Sequence, residues 1–297
     1  MKTLLICPAR RPAVSILSED LPLAALPILG ESLAAHWVEY VAALGAKEVR
    51  IVAPDRADAV RAAVGDGGRW GVRIEIIAAA AEATAIEAAT RYRSTDEPGW
   101  LPYPHDFIVM NHLPGAVGQP LFDSYAAWFS GVRNWMPHAL TPVRVRVSEV
   151  RPGVWVGRRS RVHPTAQLHA PCWVGDQAYV GRDAIVGPGS VIENRAVVEQ
   201  GARVIQSIVC PDTYVGKLTS VANSIASGNT LTNWKSGSSL RVPDPFLMTS
   251  LARKTKASAR VARRSLAAGF GALAPWNLVR TWNYRLSDRT SSVKPPI

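Results

Sequence analysis

Two histidines in a regularly spaced part of the chain could transfer protons. His163 and His169 are six residues apart, and each directly follows an aliphatic residue. Histidine can act as a general base in group transfer when a carboxylate orients its ring. The sequence shows no carboxylate with a recognisable orienting role beside either residue. The catalytic residues are therefore unassigned, with these two histidines as candidates and local structural roles as the alternative.

Four polar residues are predicted to bind a ligand. Arg10 and Arg11 follow an apolar run at residues 2–7, while Asn111 and His112 follow another at residues 106–110. If both runs are strands of one parallel sheet, these residues lie at its carboxyl edge, where α/β proteins bind ligands. The alternative for Asn111 and His112 is that they satisfy backbone groups of their own loop. No metal site and no cofactor are predicted.

The elements that would position these residues alternate between strand and helix patterns. The apolar runs are at 2–7, 48–53, 72–77 and 106–110, and the helical patterns between them are at 32–44, 55–64 and 80–93. Strands alternating with helices of this length predict a doubly wound α/β domain with a parallel sheet. Ser32 is a suitable N-cap for the first helix, and Gly45 suits the position after its end.

A second region, from Val156 to Ala226, has an aliphatic residue at nearly every sixth position. These residues are Val156, Val162, Leu168, Val174, Val180, Val186, Ile192, Val198 and Val204, and after a slip of one residue Val209, Val215 and Val221. A period of six predicts a parallel β-helix with the aliphatic side chains inside, and three hexads per turn predict four coils. Accidental spacing in a β-rich domain is the alternative.

Small residues and glycines follow the aliphatic positions of the repeat. Small residues four places later are expected at the corners of a triangular coil. Glycines directly after the aliphatic residues are expected to supply conformational freedom at a tight corner. These glycines are Gly157, Gly175, Gly181 and Gly187.

The repeat resembles left-handed hexapeptide-repeat domains, and the start of the chain resembles sugar-1-phosphate nucleotidyltransferases. The second resemblance is carried by Leu21-Pro22, Leu26-Pro27-Ile28, Gly30 and Gly45-Ala46-Lys47-Glu48-Val49. That family commonly has a hexapeptide β-helix behind its catalytic domain. The resemblance implies a truncated nucleotidyltransferase-like α/β domain at 1–150, a left-handed β-helix at 151–235 and a tail at 236–297.

The residues that would bind nucleotide phosphates and metal in that family are replaced. The Gly-rich phosphate loop corresponds to Pro8-Ala9-Arg10-Arg11-Pro12, and proline supplies no N–H donor. The family's phosphate-contacting lysine aligns with Leu23, and its Mg²⁺-binding aspartate aligns with Asn111. The base-pocket segment is replaced by Ala81-Glu82-Ala83-Thr84-Ala85. We therefore expect the nucleotidyl transfer reaction to be lost.

The predicted function is a noncatalytic or regulatory role related to nucleotide-sugar synthases, in polysaccharide or nucleotide-sugar metabolism. The expected ligand is a nucleotide or nucleotide sugar. The alternatives are an active nucleotidyltransferase with an altered site and a hexapeptide-repeat acyltransferase. We also expect a homo-oligomer, a dimer or trimer formed through the β-helix.

The positive charge of the chain is concentrated near its end. The net charge is +11, and the segment from Pro245 to Leu286 has eight Lys or Arg and no Asp or Glu. The residues predicted to bind membrane are Arg253, Lys254, Lys256, Arg260, Arg263, Arg264, Trp276 and Trp282. A basic amphipathic helix with nearby aromatic residues is typical of binding to an anionic membrane surface. Packing on the coil or on a neighbouring subunit is the alternative, and no specific nucleic acid partner is predicted.

The cysteines and the start of the chain predict a cytoplasmic protein. The three cysteines, Cys7, Cys172 and Cys210, have no metal-binding or redox spacing, which favours a reducing compartment. The first residues do not have the pattern of a signal peptide. The tail adds the hypothesis of peripheral binding at the inner face of the membrane.

Overall fold

The computed structural model describes residues 1–92, 99–141 and 146–252, and Met1–Ala252 form one compact unit. The predicted amphipathic helix and its membrane-binding residues, from Arg253 to Trp282, lie outside the described residues. In the described part of the chain, no helix combines the length and the hydropathy needed to cross a membrane.

The first part of the chain is an α/β structure with a four-stranded parallel sheet. The strands in this part of the chain are β1 (Lys2–Ile6), β2 (Pro27–Ile28), β3 (Glu31–Ser32), β4 (Glu48–Ala53), β5 (Arg73–Ala78) and β6 (Phe107–Val109). Its α-helices are α1 (Leu33–Ala43), α2 (Ala57–Val64), α3 (Ala85–Tyr92) and α4 (Tyr125–Trp135). Short 3-10 helices lie at Pro12–Ser18, Leu23–Ala25, Gly68–Trp70 and Met136–His138. The sheet order is β5-β4-β1-β6, and β2 and β3 form a separate hairpin.

Alternating side chains of the sheet explain why helices cover both of its faces. Leu5 packs in one apolar cluster with residues of α1 and α2, while Leu4 and Ile6 pack in another with Ala88 of α3. Strands buried on both faces are typical of parallel sheets. The predicted mixed α/β arrangement is thus confirmed. Its kinship with nucleotidyltransferases stays a prediction.

The predicted ends of α1 are confirmed by its capping contacts. Ser32 has an extended backbone, and its hydroxyl accepts a hydrogen bond from the N–H of Ala35 at 3.1 Å. Gly45 follows the helix with a φ of 94°, a conformation that favours glycine after a helix C-terminus. The helix therefore begins and ends where its local sequence directs.

The hexad region folds into three sheets that wind around one core. Its strands are β7 (Val147–Arg151), β8 (Val154–Gly157), β9 (Arg161–Val162), β10 (Gln167–Leu168), β11 (Cys172–Val174), β12 (Tyr179–Val180), β13 (Ile185–Val186), β14 (Ser190–Ile192), β15 (Val197–Val198), β16 (Arg203–Ile205), β17 (Ile208–Val209), β18 (Thr213–Val215), β19 (Ser220–Ala222), β20 (Ser224–Ser227), β21 (Thr230–Asn233), β22 (Ser239–Arg241) and β23 (Met248–Ser250). Each strand from β8 to β17 pairs in parallel with the strand three positions later. This pairing is a parallel β-helix of four coils, as predicted, and its left-handedness stays a prediction.

The aliphatic series occupies the interior of the coil. One member of the series lies in each strand from β8 to β19, and those from Val174 onward are buried. Val156, Val162 and Leu168 in the first coil are half-buried. The one-residue slip in the sequence shortens a turn of the coil. Trp173 pairs with Val191 eighteen residues later, whereas Val191 pairs with Ile208 only seventeen residues later.

The reason predicted for three of the glycines is wrong. Gly157, Gly175 and Gly181 do not have positive φ values, and only Gly187 does, at 97°. A Cβ on Gly175 would lie 2.6 Å from the backbone nitrogen of Asn194 in the next coil, and the other two glycines are similarly crowded. These glycines therefore allow successive coils to approach closely. From Val174 onward, the left-handed backbone falls two or three residues after the aliphatic position, as at Gln177, Asp183, Arg195, Gln206, Asp212, Leu218 and Asn223.

One face of the coil is covered by the α/β part of the chain. Apolar residues that point away from the coil interior lie in register on neighbouring strands and share one buried cluster with α4: Trp155, Trp173, Val191, Ile208 and Ile225. Phe129 of α4 stacks on Trp234, with ring centroids 4.3 Å apart. The helix α4 therefore packs the α/β part of the chain onto the repeat.

Antiparallel strands extend the sheets of the coil at its ends. β7 pairs with β8, β21 pairs with β20 and β22, and β23 pairs with β18. Residues 147–150 and 239–250, which the sequence assigned to the α/β domain and to the tail, thus contribute strands to the coil. Such pairing satisfies edge strands that would otherwise expose unpaired backbone groups.

Candidate functional site

A side chain of the protein itself occupies the region expected to bind nucleotide phosphates. The backbone N–H of Ala9 donates to Glu82 Oε2 at 2.8 Å, and the Arg11 guanidinium pairs with the same carboxylate at 2.7 Å. Although burial acts to raise the pKa of Glu82, the hydrogen bonds from Arg11 and Ala9 hold that pKa below its ordinary value. The donors that a phosphate would need are therefore already bound to an internal anion.

Arg10 is also ion-paired within the chain. Its Nε lies 3.1 Å from Asp55 Oδ2, and Arg56 contacts the same oxygen at 3.0 Å. The Arg10 side chain remains 61% exposed. The two arginines predicted to bind ligand are thus brought to one edge of the sheet, and each faces a carboxylate of the protein.

Asn111 and His112 lie just beyond β6, at the same edge. The backbone carbonyl of Asn111 accepts from the N–H of Leu121 at 2.8 Å, and that of His112 accepts from the indole of Trp37 at 2.9 Å. Burial lowers the pKa of His112, whose Nδ1 has no hydrogen-bond partner among the described residues. Their carbonyls therefore support the loop, as the local alternative expects.

His163 of the coil is linked through Thr165 to Asp183 of the next coil. Its Nδ1 accepts from the backbone N–H of Thr165 at 3.2 Å and lies 3.0 Å from the Thr165 hydroxyl oxygen. That hydroxyl oxygen accepts from the N–H of Asp183 in the next coil at 3.0 Å. The Thr165 hydroxyl, Arg182 and His163 together lower the pKa of Asp183.

The tautomer of neutral His163 follows from this contact. Because a backbone N–H donates to Nδ1, the proton of the neutral ring lies on Nε2. Nε2 then has no free lone pair to accept a proton from a substrate. His169 is exposed, and its backbone N–H donates to the Val186 carbonyl at 2.8 Å. Asp183 could not be paired with His163 from the sequence, because the stacking of coils, and not sequence spacing, brings the two residues together.

The three cysteines are free thiols in the structure. Burial raises the pKa of Cys172 to about 11 and that of Cys210 to about 12. A thiol of such high pKa is a poor nucleophile at neutral pH. Among residues 1–92, 99–141 and 146–252, no group of three His, Cys, Asp or Glu side chains could hold a metal ion.

A cavity of about 700 Å³ opens between α1 and α4. α1 contributes His36, Glu39 and Tyr40, and the last two lie near the helix face of His36 because they follow it by three and four residues. α4 contributes Asn134 and Trp135. The cavity has the size and the mixed lining of small-molecule sites. Sequence analysis missed it, although the polar and aromatic face of α1 was a usable signal.

The aromatic walls of this cavity are held in place by contacts with other residues of its lining. The indole N–H of Trp135 donates to the Pro114 carbonyl at 3.0 Å, and its ring meets the edge of His36 at a centroid distance of 4.6 Å. The Arg69 guanidinium lies 3.9 Å from the ring centroid of Trp70. Such contacts limit the rotation of both tryptophans.

The polar lining of the cavity carries little net charge. Of the residues that the structure describes, Glu39 and Arg69 are its charged side chains other than histidine, and Arg69 is paired with Glu31 at 2.8 Å. The Glu39 carboxylate accepts a hydrogen bond from the Thr141 hydroxyl. Further hydrogen-bonding groups line the cavity: Gln119, Asn134 and His138. The site can therefore form many hydrogen bonds without strongly attracting an anion.

A second cavity of about 120 Å³ lies between the β2–β3 hairpin and the coil. It shares Glu39, Arg69 and Trp70 with the larger cavity, and the coil supplies Trp173 and Asn194 among its lining residues. The hairpin is bound to the coil at this point, because the side-chain amide of Asn194 donates to the Gly30 carbonyl at 2.9 Å. The two cavities therefore meet at the junction of the two parts of the chain.

Comparisons with known proteins find limited similarity. No protein-family model matches the chain, and no curated protein matches it. One similar solved structure is a variant of perosamine N-acetyltransferase from Caulobacter crescentus in complex with CoA and GDP-perosamine. It is 18% identical, with a TM-score of 0.18, and the match covers 61% of this chain and 93% of that chain.

A second similar structure is the acetyltransferase domain of PglB from Neisseria gonorrhoeae in complex with acetyl coenzyme A. It is 11% identical, with a TM-score of 0.15, and the match covers 63% of this chain and 99% of that chain. Both names denote acetyltransferases. TM-scores this low carry no argument about the fold or function of this chain.

Proposed function

We propose that this protein binds a carbohydrate in the larger cavity and does not catalyse nucleotidyl transfer. The observation that carries the proposal is the combination of aromatic walls, at Tyr40, Trp70 and Trp135, with uncharged hydrogen-bonding side chains in about 700 Å³. Aromatic rings pack against the C–H faces of a sugar ring, while amide, hydroxyl and carboxylate groups bind its hydroxyls. The lining thus matches a polyhydroxy ligand.

The charges of the cavity argue against a phosphate group as the main feature recognised there. Phosphates are bound by arginine or lysine clusters or by converging backbone N–H groups. Among the described residues, Arg69 is the one such side chain of the lining, and it is paired with Glu31. The ligand is therefore a free sugar, or a nucleotide sugar bound through its glycosyl group.

The residues at the carboxyl edge of the sheet support the proposal that the protein does not catalyse nucleotidyl transfer. Phosphoryl and nucleotidyl transfer depend on positioning and on neutralising the charge of the phosphates. Here Arg11 and the Ala9 N–H bind the Glu82 carboxylate. Leu23 and Asn111 align with the phosphate-contacting lysine and the metal-binding aspartate of the family that the start of the chain resembles. We infer a binding or regulatory role in nucleotide-sugar or polysaccharide metabolism.

Calorimetric titration of the purified protein tests the proposal. The ligands are glucose, N-acetylglucosamine, UDP-glucose, UTP and acetyl-CoA. We expect binding of at least one sugar, weakened about tenfold or more by Trp70→Ala, which removes a large aromatic contact. Tyr103→Ala is the matched control, because this aromatic residue is 81% exposed and does not line either cavity.

The set of ligands separates the two sources of a glycosyl group. Binding of glucose and UDP-glucose with equal affinity indicates recognition of the sugar alone, whereas binding of UDP-glucose but not glucose indicates a nucleotide sugar. Binding of UTP that Trp70→Ala leaves unchanged, or no binding of any sugar, overturns the proposal.

A second candidate function is acyl transfer on the coil. The observation that favours it is the link from His163 through the Thr165 hydroxyl to the backbone N–H of Asp183, together with the lowering of the Asp183 pKa by that hydroxyl. For this role the hydrogen bond from the Thr165 N–H to His163 Nδ1 has to break. The ring proton then lies on Nδ1, and Nε2 is able to accept a proton from the substrate. Thiol release from acetyl-CoA in the presence of an amino sugar tests it. Loss of about a hundredfold in rate on His163→Ala supports the candidate, and no thiol release by the unaltered protein excludes it.

A further inference from the structure

We propose that the smaller cavity completes the carbohydrate site by receiving an N-acyl substituent of the sugar, whose carbonyl oxygen accepts a hydrogen bond from the indole N–H of Trp173. This inference rests on the proposed function, because the sugar ring itself would occupy the larger cavity. It adds a preference for N-acylated sugars and gives the coil a direct part in ligand recognition.

The two cavities are adjacent, so that one ligand can place its sugar ring in the larger cavity and a substituent of that ring in the smaller one. They share walls formed by Glu39, Arg69 and Trp70. A ring packed against Trp70 in the larger cavity would be adjacent to the smaller one. With about 120 Å³, the smaller cavity admits a substituent of a few atoms but not a second sugar ring.

Trp173 provides a donor that has no acceptor within the described residues. It is 1% exposed and lines the smaller cavity, and its Nε1 has no hydrogen-bond partner there. The indole can only donate, and buried polar groups in folded proteins are almost always hydrogen-bonded. A ligand that offers an oxygen acceptor would therefore recover a hydrogen bond.

The acceptor groups that line the smaller cavity already have partners. Asp176 binds the Arg159 guanidinium through its carboxylate, and the Asn194 side-chain oxygen accepts from the Asp176 N–H at 2.8 Å. Glu31 pairs with Arg69 at 2.8 Å. These oxygens are therefore engaged within the protein, whereas the buried indole N–H of Trp173 has no partner among the described residues.

Charge and shape favour a neutral acyl group over an anion. Glu31 is balanced by Arg69, and Asp176 interacts with both Arg159 and Arg146. With Glu39 also in the lining, its described acidic side chains outnumber the basic ones, and an added carboxylate would meet no excess of positive charge. The apolar side chains of the lining, Leu29 and Val147, suit the methyl of an acetamido group.

Calorimetry with matched sugars and matched variants tests the inference. The probes are N-acetylglucosamine, glucose and glucuronate. We expect the unaltered protein to bind N-acetylglucosamine about fivefold to tenfold more tightly than glucose, the range expected for one added hydrogen bond. Trp173→Phe should remove this preference and leave glucose binding unchanged.

Trp128→Phe is the matched control for loss of an indole N–H. Trp128 of α4 is also buried with an Nε1 that has no partner among the described residues, but it lines neither cavity. This variant should retain the preference. Val147→Phe narrows the smaller cavity without altering Trp173, and should weaken N-acetylglucosamine binding selectively. It also tests the inference if Trp173→Phe fails to fold.

The outcomes distinguish this inference from the proposed function. If sugars bind and require Trp70, but N-acetylglucosamine and glucose bind equally, the inference is wrong and the proposed function stands. A preference for glucuronate, or a preference for N-acetylglucosamine that persists in both Trp173→Phe and Val147→Phe, also overturns it. If no sugar binds the unaltered protein, the proposed function fails and this inference fails with it.

Discussion

The buried carboxylate of Glu193 in the coil accepts a hydrogen bond from the backbone N–H of Gly30, in the turn between β2 and β3, at 2.9 Å. The adjacent N–H of Leu29 donates to the same carboxylate at 2.6 Å. One acidic side chain of the coil therefore satisfies both donors of a tight turn in the α/β part. Because this turn also lines the smaller cavity, Glu193 helps to position the candidate site.

The stability contributed by Glu193 should decrease as pH rises. Burial raises the pKa of Glu193 to about 7, against the lowering effect of the three backbone N–H donors, whereas an unfolded chain has a glutamate pKa of about 4.3. The contribution is fully present below the unfolded pKa and is lost as pH rises through about 7, a change of about 4 kcal/mol. We expect the melting temperature of the protein to fall relative to Glu193→Gln between these pH values. Parallel pH profiles for the two proteins would contradict this.

Val186→Asp should prevent stable folding. Val186 is fully buried in β13 in the middle of the coil, and the change loses about 1.5–3 kcal/mol of apolar burial and adds an unpaired buried charge. Circular dichroism and thermal melting measure the effect. Ile185→Asp is the control on the same strand, since Ile185 is only half-buried. A Val186→Asp protein that melts as cooperatively as the control would show that the assigned register is wrong.

Gly175→Ala should destabilise the coil through crowding. A Cβ at this position would lie 2.6 Å from the Asn194 backbone nitrogen, so the two coils would have to separate. Overpacking of this kind costs about 1–3 kcal/mol. Gly68→Ala is the control, because its Cβ would meet only the Asp66 side chain at 3.3 Å. Chemical denaturation compares the two variants, and equal stability would refute the close-approach explanation.

The protein should produce no nucleotide sugar from a nucleoside triphosphate and a sugar-1-phosphate with Mg²⁺. The reason is that the Arg11 guanidinium and the Ala9 N–H are bound to the Glu82 carboxylate. In addition, Leu23 replaces the phosphate-contacting lysine of the nucleotidyltransferases that the chain resembles. Release of pyrophosphate measures the reaction. Turnover by a homogeneous preparation that is abolished by changing Arg10 and Arg11 would show that the site is active.

Truncation after Ala252 should abolish binding to anionic vesicles and leave the melting temperature unchanged. The removed residues carry the basic series that begins at Arg253, and each basic residue near an anionic leaflet contributes about 1 kcal/mol. β23, which pairs with β18, remains in the shortened protein. Cosedimentation at low salt is the measurement. Equal sedimentation of both proteins, or failure of the full-length chain to sediment, would refute the membrane hypothesis.

The sequence was sufficient to predict the coil because its determinants are local and repeated. A side chain at every sixth residue points into the same core whatever the rest of the chain does, so the twelve aliphatic positions identified all strands from β8 to β19. The cap at Ser32 and the strand and helix alternation were likewise encoded in short segments. The role of Gly175 was misjudged because its neighbour, Asn194, belongs to the following coil.

The candidate site depended on contacts between distant parts of the chain. Glu82 reaches Arg11 across 71 residues and Glu193 reaches Leu29 across 164 residues, and no local pattern specifies either pair. Neither cavity is a property of one segment, since Trp70 and Trp173 come together only when the hairpin packs against the coil. Periodic burial can be read along the chain because it repeats locally, whereas the volume, charge balance and hydrogen bonding of a site arise only when separate elements pack together.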